Sequence, residues 1–159
     1  MLRKNWLHCS NGLAMQDDTH KIRHLPDGWV RKPLADALQS LTSGGRPMGG
    51  GTSDGEGVFS LGGEHITDWG TLDCSNPVHV PLKHFERIRR DAEIHAGDIL
   101  INKDGANTGK VAIARESKFP SPSCINEHVF RLRTHQNELL QHYAFYFLFS
   151  PFEIGRAHV

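Results

Sequence analysis

Net charge is the first thing this sequence lacks. Over 159 residues, 18 Lys and Arg balance 18 Asp and Glu. That excludes a uniformly basic nucleic-acid sponge and an acidic disordered tail. Cysteine is scarce as well: Cys9, Cys74 and Cys124 are odd in number, far apart and free of any CxxC spacing. Neither a disulfide framework nor a thiolate zinc site is expected, and free thiols fit a reducing cytosol. Long apolar runs are missing too. The most apolar stretch, 143–149, is far shorter than the roughly 20 residues a membrane span needs, and Leu2 and Trp6 sit in no continuous apolar core. The expectation is a cytoplasmic chain with no membrane partner.

What remains is ordinary globular material. The hydrophobic share of 38% and charged share of 23% allow one modest core at this length. The neutral total hides a gradient, since residues 1–50 hold seven Lys/Arg against four Asp/Glu, 51–100 four against nine, and 101–159 seven against five. A basic side assembled from the first and last thirds is therefore compatible with neutrality. Residues 1–24 show no clear period and read as a flexible lead-in. Residues 153–159 read as a non-native tail, because Ile154 to Val159 can be encoded as ATC GGA AGA GCA CAC GTC, one frame of a common sequencing adapter. Different codons in the nucleotide sequence would sink that hypothesis.

Between these ends the pattern predicts an α+β fold: a small, twisted, largely antiparallel or mixed sheet. Pro-Asp-Gly at 26–28 is turn chemistry leading into a short strand at Trp29 and Val30. Pro33 with Leu34, Leu38 and Leu41 at i, i+4, i+7 predicts a short helix over about 33–42, closed by Gly44 and Gly45. A glycine-rich loop follows to Gly57, then short extended pieces at 58–61, around 65–67 and at 76–80. A charged helix is expected at about 82–92. Two β-branched runs around Asp104–Gly109 predict a β-hairpin over about 99–114. Residues 124–133 alternate as a single strand, with Ile125, Glu127, Val129, Arg131 and Arg133 on one face. An aromatic-rich helix over about 136–149 ends at Pro151.

Several motifs fail on inspection. Gly105–Lys110 lacks the first glycine and the Ser/Thr of a phosphate-binding loop, and a strand follows it where a helix is required. The glycines of 44–51 fit no dinucleotide fingerprint. Asn76-Pro77 lacks the residues an amino-methyltransferase loop would place on its target base. The 11 histidines show no HExxH, and the Glu64-His65 and Glu127-His128 neighbours point to opposite faces if extended. An alternative with chemistry of its own is a Mg²⁺-dependent nuclease, in which Asp98 and Glu116 hold the ion and Lys118 positions the water. Arg87, Arg89 and Arg90 alternate with Glu86, Asp91 and Glu93 and read as a solvated helix face.

Six segments, taken in order, resemble one family. They are Leu25-Pro26-Asp27-Gly28-Trp29, Ser43-Gly44-Gly45-Arg46-Pro47, Gly97-Asp98-Ile99-Leu100-Ile101, Gly109-Lys110-Val111-Ala112-Ile113, Ile125-Asn126-Glu127-His128-Val129, and the Tyr/Phe-rich helix before Ser150-Pro151. Together they resemble a target recognition domain of the DNA specificity subunit of type I restriction–modification systems, over about residues 25–152. The resemblance implies a non-enzymatic module that binds double-stranded DNA and directs partner subunits to one half of a bipartite site. The partners would be modification (methyltransferase) and restriction subunits. S-adenosylmethionine, ATP and Mg²⁺ would belong to them, with no cofactor in this chain. The family's subunit carries two such domains joined by long helices; one domain and no spacer helix here fit a truncated fragment, with a natural half-size subunit that dimerises as the competing account.

A module of this kind needs base-edge donors and acceptors on exposed loops, with some phosphate clamps. The hairpin tip offers Lys103, Asn107, Thr108 and Lys110. The loop 44–57 offers Arg46, Thr52, Ser53 and Asp54. Arg131 and Arg133 share a strand face and are expected to grip phosphates.

Overall fold

The computed structural model describes residues 27–28, 31–53 and 55–150. The lead-in 1–24, the strand expected at Trp29 and Val30, Asp54, the stop at Pro151 and the tail 153–159 lie outside the described residues. The chain divides into two units, Met1–Lys32 and Pro33–Val159. The domain start expected at residue 25 thus falls in the first of them.

The second unit is α+β, with two sheets instead of the single one expected. The first sheet is antiparallel throughout, in the order β1-β7-β4-β5, with β1 at Leu38–Ser43, β4 at Ile99–Asn102, β5 at Val111–Ile113 and β7 at Val129–Thr134. The second is β3-β2-β6, built from Val58–Leu61 (β2), His79–Val80 (β3) and Ser123–Ile125 (β6), with β2 antiparallel to β3 and parallel to β6. Helix α1 spans Leu82–Ala92 and α2 spans Gln141–Phe149.

Strand alternation explains how the layers fit. On β4 and β5, Ile99, Val111 and Ile113 join Ala144 and Phe145 of α2 in one apolar cluster. Leu100, Ala112 and Ala114 point the other way, into a larger cluster with Val58, Phe59, Leu61, Phe85 of α1, Cys124 and Ile125. The first sheet is therefore covered on both faces. The hairpin is as expected, with Ile99 opposite Ile113 and Ile101 opposite Val111. Gly105 and Gly109 take φ of +76° and +86° at its tip, a region closed to most side chains. The charged helix also lies where the pattern put it.

Three elements differ from expectation. The helix over 33–42 is one 3-10 turn, Leu34–Ala37, followed by β1. The leucine spacing suited a helix, but pairing of Leu38–Ser43 with β7 satisfies the same backbone groups in the sheet. Leu34 and Leu41 stay 39% exposed, so no buried helical stripe forms. The strand over 124–133 breaks in two. Asn126 Oδ1 accepts the His128 N–H at 2.8 Å, an Asx turn that sends β6 and β7 into different sheets. The last helix starts at Gln141 instead of about 136. There Gln141 Oε1 accepts from the Thr134 N–H (2.8 Å) and hydroxyl (2.9 Å), while its Nε2 donates to the carbonyls of Gly97 (3.0 Å) and Leu132 (2.8 Å). One buried amide thereby fixes the helix start to β7 and to the turn before β4.

No helix among the described residues is long and apolar enough to cross a membrane. Cys74 and Cys124 are free thiols. Burial pushes the Cys124 thiol up to about 11, while a weaker contribution from Ser60 pulls the other way.

Candidate nucleic-acid interface

The loop 44–57 and the hairpin tip leave the scaffold on the same side, and the Asn126–His128 turn lies between them. Arg46 Nη1 stands 3.8 Å from Glu127 Oε1. Glu127 Oε1 is 3.4 Å from His128 Nε2, whose ring Nδ1 is 2.6 Å from Asp104 Oδ1 on the hairpin. The Lys103 N–H donates to the His128 carbonyl at 3.0 Å. A continuous polar row thus runs from one loop to the other. On its far side the hairpin leans on 63–68, where Asn107 Nδ2 reaches the Gly63 carbonyl at 3.5 Å and Lys110 Nζ lies 3.3 Å from Asp68 Oδ1.

Both excursions face outward: Arg46, Thr52, Ser53, Asp104 and Thr108 are exposed. Arg46 keeps 69% of its side chain accessible, and Met48 beside it is fully exposed. Thr52 is also structural, since its N–H and C=O exchange hydrogen bonds with His79 (2.9 and 2.7 Å) and tie the loop to β3. The Thr108 hydroxyl turns back onto the Gly105 carbonyl at 2.6 Å, stiffening the tip. Lys103 is half-buried; its ammonium lies 4.9 Å from the centroid of the Phe130 ring and donates to Ser43 Oγ at 3.0 Å. Beneath the row is a hollow of about 240 Å³, whose walls include Arg46, Ser60, Glu64, Asn126, Glu127 and His128.

No protein-family model and no curated protein matches this chain.

The two β7 arginines are not on this face. Arg131 is buried, at 3% exposure, and its guanidinium donates to the carbonyls of Glu93 and, at 3.2 Å, Arg90. The Thr42 hydroxyl donates to the Asp91 carbonyl at 2.6 Å. Together they satisfy carbonyls that the end of α1 leaves without intrahelical partners. Burial lowers the Arg131 pKa from its ordinary value, with the neighbouring Arg133 adding to the shift. Arg133 grips Asp98: its Nη2 is 2.8 Å from Oδ2 and its Nε lies on Oδ1, which raises the guanidinium pKa. Both arginines do share one face, as their alternation requires. That face turns toward the end of α1 and the turn before β4: Arg131 is buried there with its Nε left without a partner, while the Arg133 side chain keeps 26% exposure but holds Asp98, so neither is placed for the expected phosphate grip.

Of the residues of the nuclease alternative, Asp98 is already committed to protein partners. Both Asp98 oxygens are engaged by Arg133, and Oδ2 also accepts the His95 N–H at 2.8 Å. Glu116 lines an open hollow with His142, Phe145 and Tyr146, whereas Lys118 lines another with Thr71 and Leu72. Among the described residues no three His, Cys, Asp or Glu side chains gather as metal ligands.

The sequence alone did not place Glu64, Asp104 or the Asn126–His128 turn beside the two loops. Asn two residues before His, between two apolar runs, was the turn signal available for the last of these.

Proposed function

We propose that this chain binds double-stranded DNA sequence-specifically, as a target recognition domain of the kind found in type I restriction–modification specificity subunits. In this reading it directs modification and restriction subunits to one half of a bipartite site. Those partners supply the methyl transfer with S-adenosylmethionine and the ATP- and Mg²⁺-dependent cleavage, and the chain contributes no catalysis. One observation carries the reading: two outward-facing polar loops converge on one edge, joined by the Arg46–Glu127–His128–Asp104 row above a sheet packed on both faces. Such an edge presents mixed donors and acceptors from rigid supports, which base-edge reading in a groove requires. The resemblance of the six ordered segments points to the same activity.

The contact residues of the proposal are Arg46, Thr52, Ser53, Lys103, Asn107, Thr108 and Lys110. A gel shift of duplex DNA with the chain in chelator is the test. Retarded, intact duplex is the expected result. Nicking that appears on adding Mg²⁺ would favour the Asp98, Glu116 and Lys118 alternative. Failure to retain any duplex, even with modification subunits supplied, would overturn the proposal.

A further inference from the structure

The proposed interface is poor in net positive charge. Arg46, Lys103 and Lys110 share it with Glu64, Asp68, Asp104 and Glu127, and Arg46 and Lys110 each lie within ion-pair distance of one of these carboxylates. Carboxylates facing phosphates are repelled; carboxylates facing the amino groups of bases are not. Glu64 is the best placed of the four, keeping 59% of its side chain exposed in the wall of the hollow.

His65 lies within ion-pair distance of it but is turned to other partners. His65 Nδ1 lies 3.6 Å from Glu64 Oε1, but that nitrogen accepts the Gly62 N–H at 3.0 Å, and Nε2 is 2.9 Å from the Asn76 carbonyl. With Nδ1 accepting and Nε2 facing a carbonyl, both ring nitrogens are engaged by backbone groups and neither offers an N–H to Glu64. Glu64 therefore remains an acceptor. Beside it is a donor of fixed direction. Asn126 spends Oδ1 on the His128 N–H, which orients the amide and turns Nδ2 away from that bond. Both groups flank Gly62, and a Cβ there would collide with the Glu64 carboxylate and with Asn126 Nδ2. Glycine thus keeps open the space between one donor and one acceptor.

We infer that Asn126 and Glu64 together read the major-groove edge of an adenine, Nδ2 donating to N7 and the carboxylate accepting from the N6 amino group. Adenine presents this acceptor–donor pair, whereas guanine presents two acceptors, N7 and O6, and would set O6 against the carboxylate. The inference rests on the DNA-binding reading above. It places the adenine contact on Asn126 and not on the other asparagine of the interface, Asn107, whose Nδ2 already faces the Gly63 carbonyl.

The test incubates the full chain and its Glu64→Gln variant separately with a random-sequence duplex pool and sequences the retained duplexes. Wild type should enrich a motif with adenine over guanine at one position. In Glu64→Gln the adenine-to-guanine ratio there should fall by about tenfold, because the new amide donates to O6, while the other positions hold. Gly62→Ala, which fills the space between the two groups, should lose the same position only. A motif whose adenine position survives both changes, or one with no adenine position, overturns the inference and leaves DNA binding standing. If wild type enriches nothing, DNA binding itself falls and the inference falls with it.

Discussion

The arginines of β7 and the cations of the two loops carry the same charge and have opposite fates. Arg131 and Arg133 are surrounded by acceptors: helix-end carbonyls for one, a buried carboxylate for the other. Arg46, at the surface, and Lys110, half-buried, each face a single carboxylate, at 3.8 and 3.3 Å, a geometry more easily exchanged for another anion. The contrast teaches that positive charge in a sequence does not mark a nucleic-acid contact. What matters is whether the fold has already spent the donors.

The comparison breaks most visibly at Arg133. Arg133→Ala strands Asp98, which is 3% exposed, with only the His95 N–H for a partner. The loss should be about 3 kcal/mol by urea unfolding, since an uncompensated buried carboxylate is left behind. The double variant Arg133→Ala/Asp98→Ala should recover part of it. An Arg133→Ala chain as stable as wild type would mean that the pair does not hold the fold. Arg131→Met comes next, at about 2 kcal/mol, because two carbonyls at the end of α1 lose charged donors while the apolar stem is kept. A loss as small as a surface substitution would place this guanidinium in solvent.

Cys124 sharpens the same comparison from inside. Its backbone bridges to Glu93, whose carbonyl Arg131 holds, so the thiol reports on the seam between α1 and β6. With the thiol pushed up to about 11 from an ordinary 9.0, its thiolate is scarce near neutrality, and alkylation of Cys124 in the native chain should be very slow. The folded state holds this proton more tightly than the unfolded chain does, so the contribution to stability is complete below pH 9 and is lost as pH rises towards 11. Cys124→Ala should flatten that part of the stability curve, and Arg131→Met should speed alkylation of Cys124. An unchanged alkaline arm in Cys124→Ala would contradict the burial argument.

These particulars also explain how far the sequence could be read. The hairpin over 99–114 and the helix over 82–92 were legible because local chemistry, glycines at the tip and charge pairing along the helix, agrees with the tertiary fold. The leucines at 34, 38 and 41 misled because a helical period says nothing of a distant strand that pairs with the same segment. Alternation over 129–133 identified opposite faces but not which one is wet. Both faces are largely covered, with only partial exposure left at Phe130 and Arg133, and Arg131 was legible as a cation but not as the donor that closes α1. Both loops were legible as regions, from polar residues among glycines. Their joining through Asn126–His128 was not, since that contact exists only once β6 and β7 part into different sheets.

The smallest effect on folding belongs to the loop cations, and there the two regions separate most cleanly. Lys110→Ala removes one ion pair in which the lysine side chain is 25% and the Asp68 side chain 64% exposed, so its stability should stay within about 1 kcal/mol of wild type. On DNA the same change should lower the slope of log affinity against log salt by about one unit, the signature of one lost phosphate contact. Lys103→Ala should lower the slope too, but at a measurable cost in melting temperature, because its ammonium also bonds Ser43 and packs on Phe130. If both slopes equal the wild-type value, the hairpin tip does not touch phosphate, and any phosphate contact falls to the other loop, where Arg46 is exposed. If Lys110→Ala is instead as destabilising as Arg131→Met, the tip is a structural element like the β7 seam, and the distinction between spent and available donors fails at its outer end.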